Sequence, residues 1–153
     1  MAKEIERKFL VRSDEWRSLA EPTRYRQGYL SSVKERVVRV RTIDDRGFLT
    51  IKGITKDVSR LEFEYDIPLD DAGALLELCE EPIIEKDRSK IALGGLVWEV
   101  DEFFGDNAGL IVAEVELEDE SQAFDRPAWV GEEVSGDPRY FNSNLIKKPY
   151  TSW

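Results

Sequence analysis

Glu4, Glu6 and Lys8 stand at alternate positions in KEIERKFLV, with Ile5, Arg7 and Phe9 between them. Alternate residues of an extended strand project from the same face, so two carboxylates and an ammonium share one side. The arrangement recurs along the chain. Arg39 and Arg41 lie opposite Val38 and Val40, Thr50 and Lys52 opposite Leu49 and Ile51, and Glu62, Glu64 and Asp66 opposite Leu61, Phe63 and Tyr65. Further on, Lys86, Arg88 and Lys90 alternate, Glu99 and Asp101 face away from Trp98 and Val100, and Glu114, Glu116 and Glu118 face away from Ala113, Val115 and Leu117. With no histidine and a single cysteine, such a set can hold metal only through oxygen, which points to Mg²⁺ or Mn²⁺, with Ca²⁺ also compatible. The same composition removes histidine-based triads and histidine- or thiolate-based zinc sites.

Eight strand-like segments must position these residues: 3–12, 23–32, 35–43, 47–54, 60–68, 83–93, 96–104 and 110–118. DDRG at 44–47, GG at 94–95 and GDNAG at 105–109 provide hairpin turns. SDEWRSLA from Ser13 and DDAGALLELCE from Asp70 read as helices, the second with an aspartate cap, and the tail after Ser121 as short helices. Eight mainly antiparallel strands in so short a chain predict a closed β-barrel, because closure removes exposed edges.

A barrel can turn its charged faces outward, around an apolar core, or inward, around a charged lumen. Three features favour the lumen. The polar faces hold almost no Ser, Asn or Gln; acidic and basic residues are grouped by strand; and two amphipathic helices require an apolar exterior. Periodicity alone leaves both arrangements open.

The chain of 153 residues is read as one domain, 1–153, with a net charge of −10 from 32 acidic and 22 basic residues. That balance argues against nucleic acid or an anionic membrane as a partner. No apolar run approaches the roughly 18 residues of a spanning helix, and no secretory signal precedes the first strand. The lone Cys79 excludes an internal disulfide, suits the cytoplasm and reads as a small core residue.

EIERKFLV also carries the E-x-E-x-K signature of the CYTH domain, or triphosphate tunnel metalloenzyme, family. The resemblance continues in order through RQGYL (26–30), RVR (39–41), TIK (50–52), RLEFEY (60–65), EKDR (85–88), WEVDEF (98–103) and AEVELE (113–118), and PAWVGEEVSGDPRYFNSNL resembles the tail of short bacterial members. The resemblance implies a mainly β (α+β) fold, an eight-stranded antiparallel barrel forming a tunnel with charged side chains inside and helices outside. It implies hydrolysis of the terminal phosphoanhydride of a triphosphate, most plainly inorganic tripolyphosphate. Thiamine, nucleoside or RNA triphosphatase, adenylate cyclase, and a non-catalytic polyphosphate- or nucleotide-binding module are the alternatives.

Within that resemblance, Lys8, Arg39, Arg41, Lys52, Lys86 and Arg88 are the substrate-binding cations; Arg24 and Arg26 are further candidates whose facing the segment RQGYL leaves open. Glu4, Glu6, Glu114 and Glu116 are implied as metal ligands, and Glu62, Glu64 and Asp101 as ligands of a second ion or as anchors for basic neighbours. Lys86 and Tyr29 form the implied dyad that helps activate water, with Lys8 beside them. Eight carboxylates (these seven and Glu99) outnumber six cations, so divalent metal is needed before the lumen attracts a polyanion. Trp16, Trp98, Trp129 and Trp153 are expected to pack in the core or rim rather than stack on a base. Either a monomer or a homodimer is compatible with the sequence.

Overall fold

A computed structural model describes residues 3–153, so the first two residues of the expected domain lie outside the described residues. Among the described residues there are nine strands: β1 (Lys3–Val11), β2 (Thr23–Ser31), β3 (Arg36–Ile43), β4 (Arg46–Gly53), β5 (Ser59–Ile67), β6 (Glu80–Leu93), β7 (Leu96–Phe103), β8 (Ile111–Glu116) and β9 (Val130–Glu133). They form one antiparallel sheet in the order β5-β4-β3-β2-β6-β7-β8-β1-β9, and a further pairing of β5 with β1 closes the first eight into a barrel.

The closure explains the unexpected ninth strand. β1 pairs with β8 from Glu6 to Leu10, but with β5 only from Lys3 to Ile5. Beyond Glu6, whose amide still donates to Val58 O at 3.1 Å, the second edge of β1 would carry unpaired peptide groups, which a folded chain rarely tolerates. The tail supplies them: Phe9 faces Glu133, Val11 faces Val130, and the amide of Val134 donates to the carbonyl of Lys8. Residues 130–133 are therefore strand rather than helix, because their partner is an edge already in place.

The expected helices are also shortened. The segment from Ser13 makes one 3₁₀ turn, Glu15–Ser18, which buries Trp16. α1 (Leu69–Glu77) starts after Pro68 with no side-chain cap; Asp70 and Asp71 sit in its first turn, where the helix dipole favours negative charge. α1 covers the outside of β2 to β4, with Ala72, Leu76 and Cys79 against Val40. Two glycines permit this approach. A Cβ on Gly28 would lie 2.7 Å from Cys79 Cβ, and one on Gly47 2.7 Å from Ala72 Cβ. This close packing accounts for the glycine in RQGYL, and Cys79 is the small core residue expected.

A second outer cluster covers β1, β6, β7 and β8, where Ile5, Phe9, Ile91, Trp98, Val100 and Val115 pack beneath Trp16, Trp129 and Val130. Apolar side chains thus face outward and the charged alternates face the lumen. At one end the inner face itself turns apolar. There Leu10, Tyr29, Val37, Ile84, Phe103 and Val112 pack against Val134, Tyr140, Leu145 and Ile146 of the tail, which includes α2 (Asn142–Leu145).

Candidate active site

Each lumen residue is placed by cross-strand register. Lys8 lies opposite Glu114 and Glu6 opposite Glu116 on β1 and β8; Glu99 meets Glu114 on β7 and β8; Arg88 meets Asp101 on β6 and β7; Lys52 meets Glu62 and Thr50 meets Glu64 on β4 and β5. Tyr29 faces Arg39 and Tyr25 faces Lys86. Together they enclose a cavity of about 220 Å³ lined by Glu4, Glu6, Lys8, Tyr29, Arg39, Arg41, Lys52, Glu62, Glu64, Lys86, Arg88, Glu114 and Glu116. Of the proposed metal ligands, substrate-binding cations and water-activating residues, Asp101 is absent from that lining, as are the further candidates Arg24 and Arg26. Asp101 is fully buried behind the lumen wall.

The lumen is an organised set of ion pairs. Lys8 Nζ lies 2.8 Å from Glu114 and 3.6 Å from Glu6. Lys52 Nζ lies 3.2 Å from Glu4 and 3.0 Å from Glu62. Glu64 Oε1 accepts from Thr50 Oγ1 at 2.8 Å and from the Nη2 atoms of Arg41 and Arg39 at 3.3 and 3.5 Å. Arg88 donates to both Asp101 oxygens at 2.7 and 2.8 Å and to Glu99 at 3.3 Å. The ring of Tyr25 stands between two cations, its centroid 5.1 Å from the Arg41 guanidinium carbon and 5.0 Å from that of Arg88. The Nε atoms of Arg39 and Arg41 are buried without a protein acceptor, so each guanidinium retains donor capacity for an anion.

These contacts split the carboxylates into two kinds. Burial opposes ionisation at Glu4, but Lys52, a hydrogen bond shared with Glu62, and Arg60 outweigh it and hold the carboxyl at about 2. Burial likewise opposes charge at Glu114, and Lys8, Arg88 and Lys86 overcome it, driving the group well below the usual range. Glu6 is instead pushed up to about 7 by burial and the neighbouring Glu114. Glu62 is raised by burial and by its contact with Glu4, and Glu116 by burial and the charges of Glu4 and Glu99. Crowded carboxylates with raised pKa values are groups whose ionised form a divalent cation would stabilise.

The donor chemistry therefore fits a hard cation, with oxygens only, several of them short of compensation. Among the described residues no three carboxylates form a ready-made metal cage. Lysine ammonium groups bridge the carboxylate pairs instead. Asp101 fits the anchoring role rather than that of ligand, since Arg88 takes both its oxygens and Lys86 Nζ lies 2.8 Å from Oδ2. Burial, helped by the neighbouring positive charge of Arg88, lowers Lys86 to about 7 despite this contact. Tyr29 is raised by burial and keeps its proton at neutral pH.

Several lumen residues were not picked out from sequence. Arg60, whose Nε donates to Glu4 at 3.2 Å, has the same parity as Glu62 and Glu64; extending their alternation by one step would have found it. Asn142 and Ser135 enter from the aperiodic tail, where no such pattern exists. Arg24 and Arg26 lie outside: Arg24 Nε donates to Asp87 at 2.6 Å and Arg26 Nε lies 3.5 Å from Glu85. None of the four tryptophans lines the cavity. Trp16, Trp98 and Trp129 are buried in the outer cluster, and Trp153 packs on Tyr140 and Tyr150.

A closed antiparallel β-barrel whose lumen is lined by alternating acids and bases defines a tunnel-type site for a metal-assisted polyanion. The sequence profile of the CYTH domain matches residues 2–150, and the chain belongs to that family. It is 54% identical, over 100% of its length and 99% of the relative's, to an inorganic triphosphatase of Acetivibrio thermocellus. It is 39% identical to an inorganic triphosphatase of Nitrosomonas europaea, over 93% of this chain and 95% of that one. A crystal structure of an inorganic triphosphatase superposes with a TM-score of 0.66 at 34% identity, covering 93% of this chain and 96% of the other.

Proposed function

We propose that the chain is an inorganic triphosphatase that hydrolyses the terminal phosphoanhydride of tripolyphosphate inside the barrel, with Mg²⁺ or Mn²⁺. The observation that carries the reading is the convergence of Lys8, Arg39, Arg41, Lys52, Lys86 and Arg88 on one enclosed lumen, joined by Arg60. A single phosphate needs two or three such partners; seven cations match a chain of several. Arginine's planar fork suits phosphate oxygens, and Arg39 and Arg41 have spare donors. No aromatic platform of tryptophan lines the cavity, which favours a bare polyphosphate over a substrate bearing adenine or thiamine.

Glu4, Glu6, Glu62, Glu64, Glu114 and Glu116 would hold the cation, with Asp101 fixing Arg88 and Lys86 behind them. A bound divalent ion supplies charge neutralisation at the phosphate oxygens and a more acidic water. The protein's own groups do the remainder. The arginines and Lys52 grip the two non-reacting phosphates, while Lys8 and Lys86 neutralise charge at the third. Lys86, brought near neutrality by burial, takes a proton from the attacking water; Asp101 stabilises the ammonium that forms. Tyr29 retains its proton and orients the water by hydrogen bonding. The water oxygen bonds to the terminal phosphorus, the bridging P–O bond breaks, and phosphate and pyrophosphate leave.

The lone thiol Cys79 suits the cytoplasm, where this reading places the enzyme, and the whole of 1–153 is read as one catalytic domain. Among the described residues, no helix is long and apolar enough to cross a membrane. Phosphate release from tripolyphosphate, measured with Mg²⁺ or Mn²⁺ and again in excess EDTA, tests the metal requirement. Turnover is expected only with the cation and should return when it is restored; full turnover in EDTA would overturn the metal-dependent reading.

A further inference from the structure

Asn142 opens α2, in the tail segment seated by Tyr140, Leu145 and Ile146. Its side chain leaves that apolar seat and reaches the polar lumen. There its Oδ1 accepts two hydrogen bonds at 3.0 Å each, from Lys86 Nζ and from Gln27 Nε2. Gln27 is completely buried, and its Nε2 also donates to Tyr29 Oη at 3.1 Å. Two residues, Asn142 of the tail and Gln27 of β2, thus join the two groups that handle the proton.

The direction of this network is determined by counting hydrogens. Lys86 keeps at least two N–H hydrogens even as the neutral amine, one for Asp101 and one for Asn142 with its lone pair left for the water, so Asn142 presents its carbonyl oxygen. Gln27 then has to present its amide nitrogen, since its own oxygen would face the Asn142 oxygen. That nitrogen carries two hydrogens, one for Asn142 and one for Tyr29. Tyr29 Oη therefore accepts from Gln27, and its single O–H hydrogen is left to donate elsewhere, towards the lumen. Gln27 Oε1 remains buried with no protein partner. An unpaired buried oxygen is costly, and the fold tolerates it in the orientation that serves Tyr29.

We propose that Asn142 is a positioning residue, which from the C-terminal segment fixes Lys86 directly and the donor direction of Tyr29 through Gln27. The proposal rests on the hydrolytic reading above. It differs from a mere seating role for the tail, which Leu145 and Ile146 fulfil by apolar packing alone.

The test compares Asn142→Leu, Asn142→Asp, Gln27→Leu and the double variant Asn142→Leu/Gln27→Leu. Each is assayed for tripolyphosphate turnover with Mg²⁺, for tripolyphosphate affinity by calorimetry, and for Tm. Asn142→Leu is expected to lower kcat about 100-fold, the scale of a misplaced acid–base group, with the Kd changed less than about threefold. Asn142→Asp, which keeps the acceptor oxygens at the same reach but adds a charge that favours the Lys86 ammonium, should recover most of kcat once the pH is raised above neutrality. The double variant should be no slower than the worse single one, because the residues act as a unit. Should Asn142→Leu not fold, Gln27→Leu reads the same network through kcat. Unchanged kcat in Asn142→Leu or Gln27→Leu would overturn the proposal, as would parallel losses of kcat, affinity and Tm with no rescue by Asn142→Asp. A wild-type chain without triphosphate turnover would remove the functional reading and this proposal together; an active wild type with indifferent variants removes the proposal alone.

Discussion

Exchange of Glu4 and Glu6 together for glutamine is expected to lower tripolyphosphate turnover by about three orders of magnitude or more, because several kcal/mol of metal-derived stabilisation is lost at about 1.4 kcal/mol per tenfold. Glutamine keeps the shape and removes two of the proposed ligand charges. The fold should survive, since the two positions act in opposite directions. Glu4, held at about 2, adds stability above the ordinary value of 4.5 that is lost as pH falls towards 2. Glu6, raised to about 7, costs stability that grows from 4.5 upward as it is forced to ionise. Removing both offsets a loss with a gain at neutral pH. The check is kcat beside Tm: the double variant should unfold near the wild-type temperature without metal, yet lose the extra stabilisation that Mg²⁺ with tripolyphosphate gives the wild type. Unchanged turnover would exclude both residues as ligands.

Asp101→Asn is expected to produce the largest loss of stability. Asp101 is fully buried, and its charge compensates both Arg88 and Lys86. Removing one partner of a buried ion pair strands the other and costs about 3–5 kcal/mol. Burial opposes ionisation at Asp101, but Arg88 and Lys86 prevail and hold the carboxyl below its ordinary value of 3.8. Its contribution is therefore complete above that value and fades as pH falls below it. Urea unfolding of both proteins at neutral pH and near pH 3 should show a large gap that narrows at the lower pH. A gap below about 1 kcal/mol at neutral pH, the scale of a solvated pair, would mean Asp101 does not anchor the cations.

What was legible in the sequence follows from geometry. A strand repeats every second residue, so a charged lumen writes itself as alternation, and the eight barrel strands with their acids and bases could be read from Glu4 to Glu116. Alternation says which face a residue takes, not how deep it lies. Asp101 shares the inward parity of Glu99, yet it lies behind the wall with its oxygens consumed, a distinction that depends on Arg88 and Lys86 across the ladder. β9 and Asn142 were hidden for another reason. Their conformations are imposed by groups distant in the chain, the free edge of β1 and the pair Lys86 and Gln27, and the tail has no period of its own. The facing of Arg24 and Arg26 depends on Gly28 packing against Cys79, a contact distant in sequence that places the even residues of β2 outside.

The central claim is that the lumen reads a chain of phosphates. Remote contacts to the non-reacting phosphates are what position the reacting one, so a shorter substrate should lose turnover as well as affinity. ATP keeps the length but must place adenosine in a cavity without a tryptophan platform. The decisive measurement is kcat/KM for tripolyphosphate, ATP and pyrophosphate at saturating Mg²⁺. Tripolyphosphate should exceed ATP, and pyrophosphate should fall at least about 100-fold below tripolyphosphate; a pyrophosphate or simple phosphomonoester value equal to that of tripolyphosphate would contradict the account.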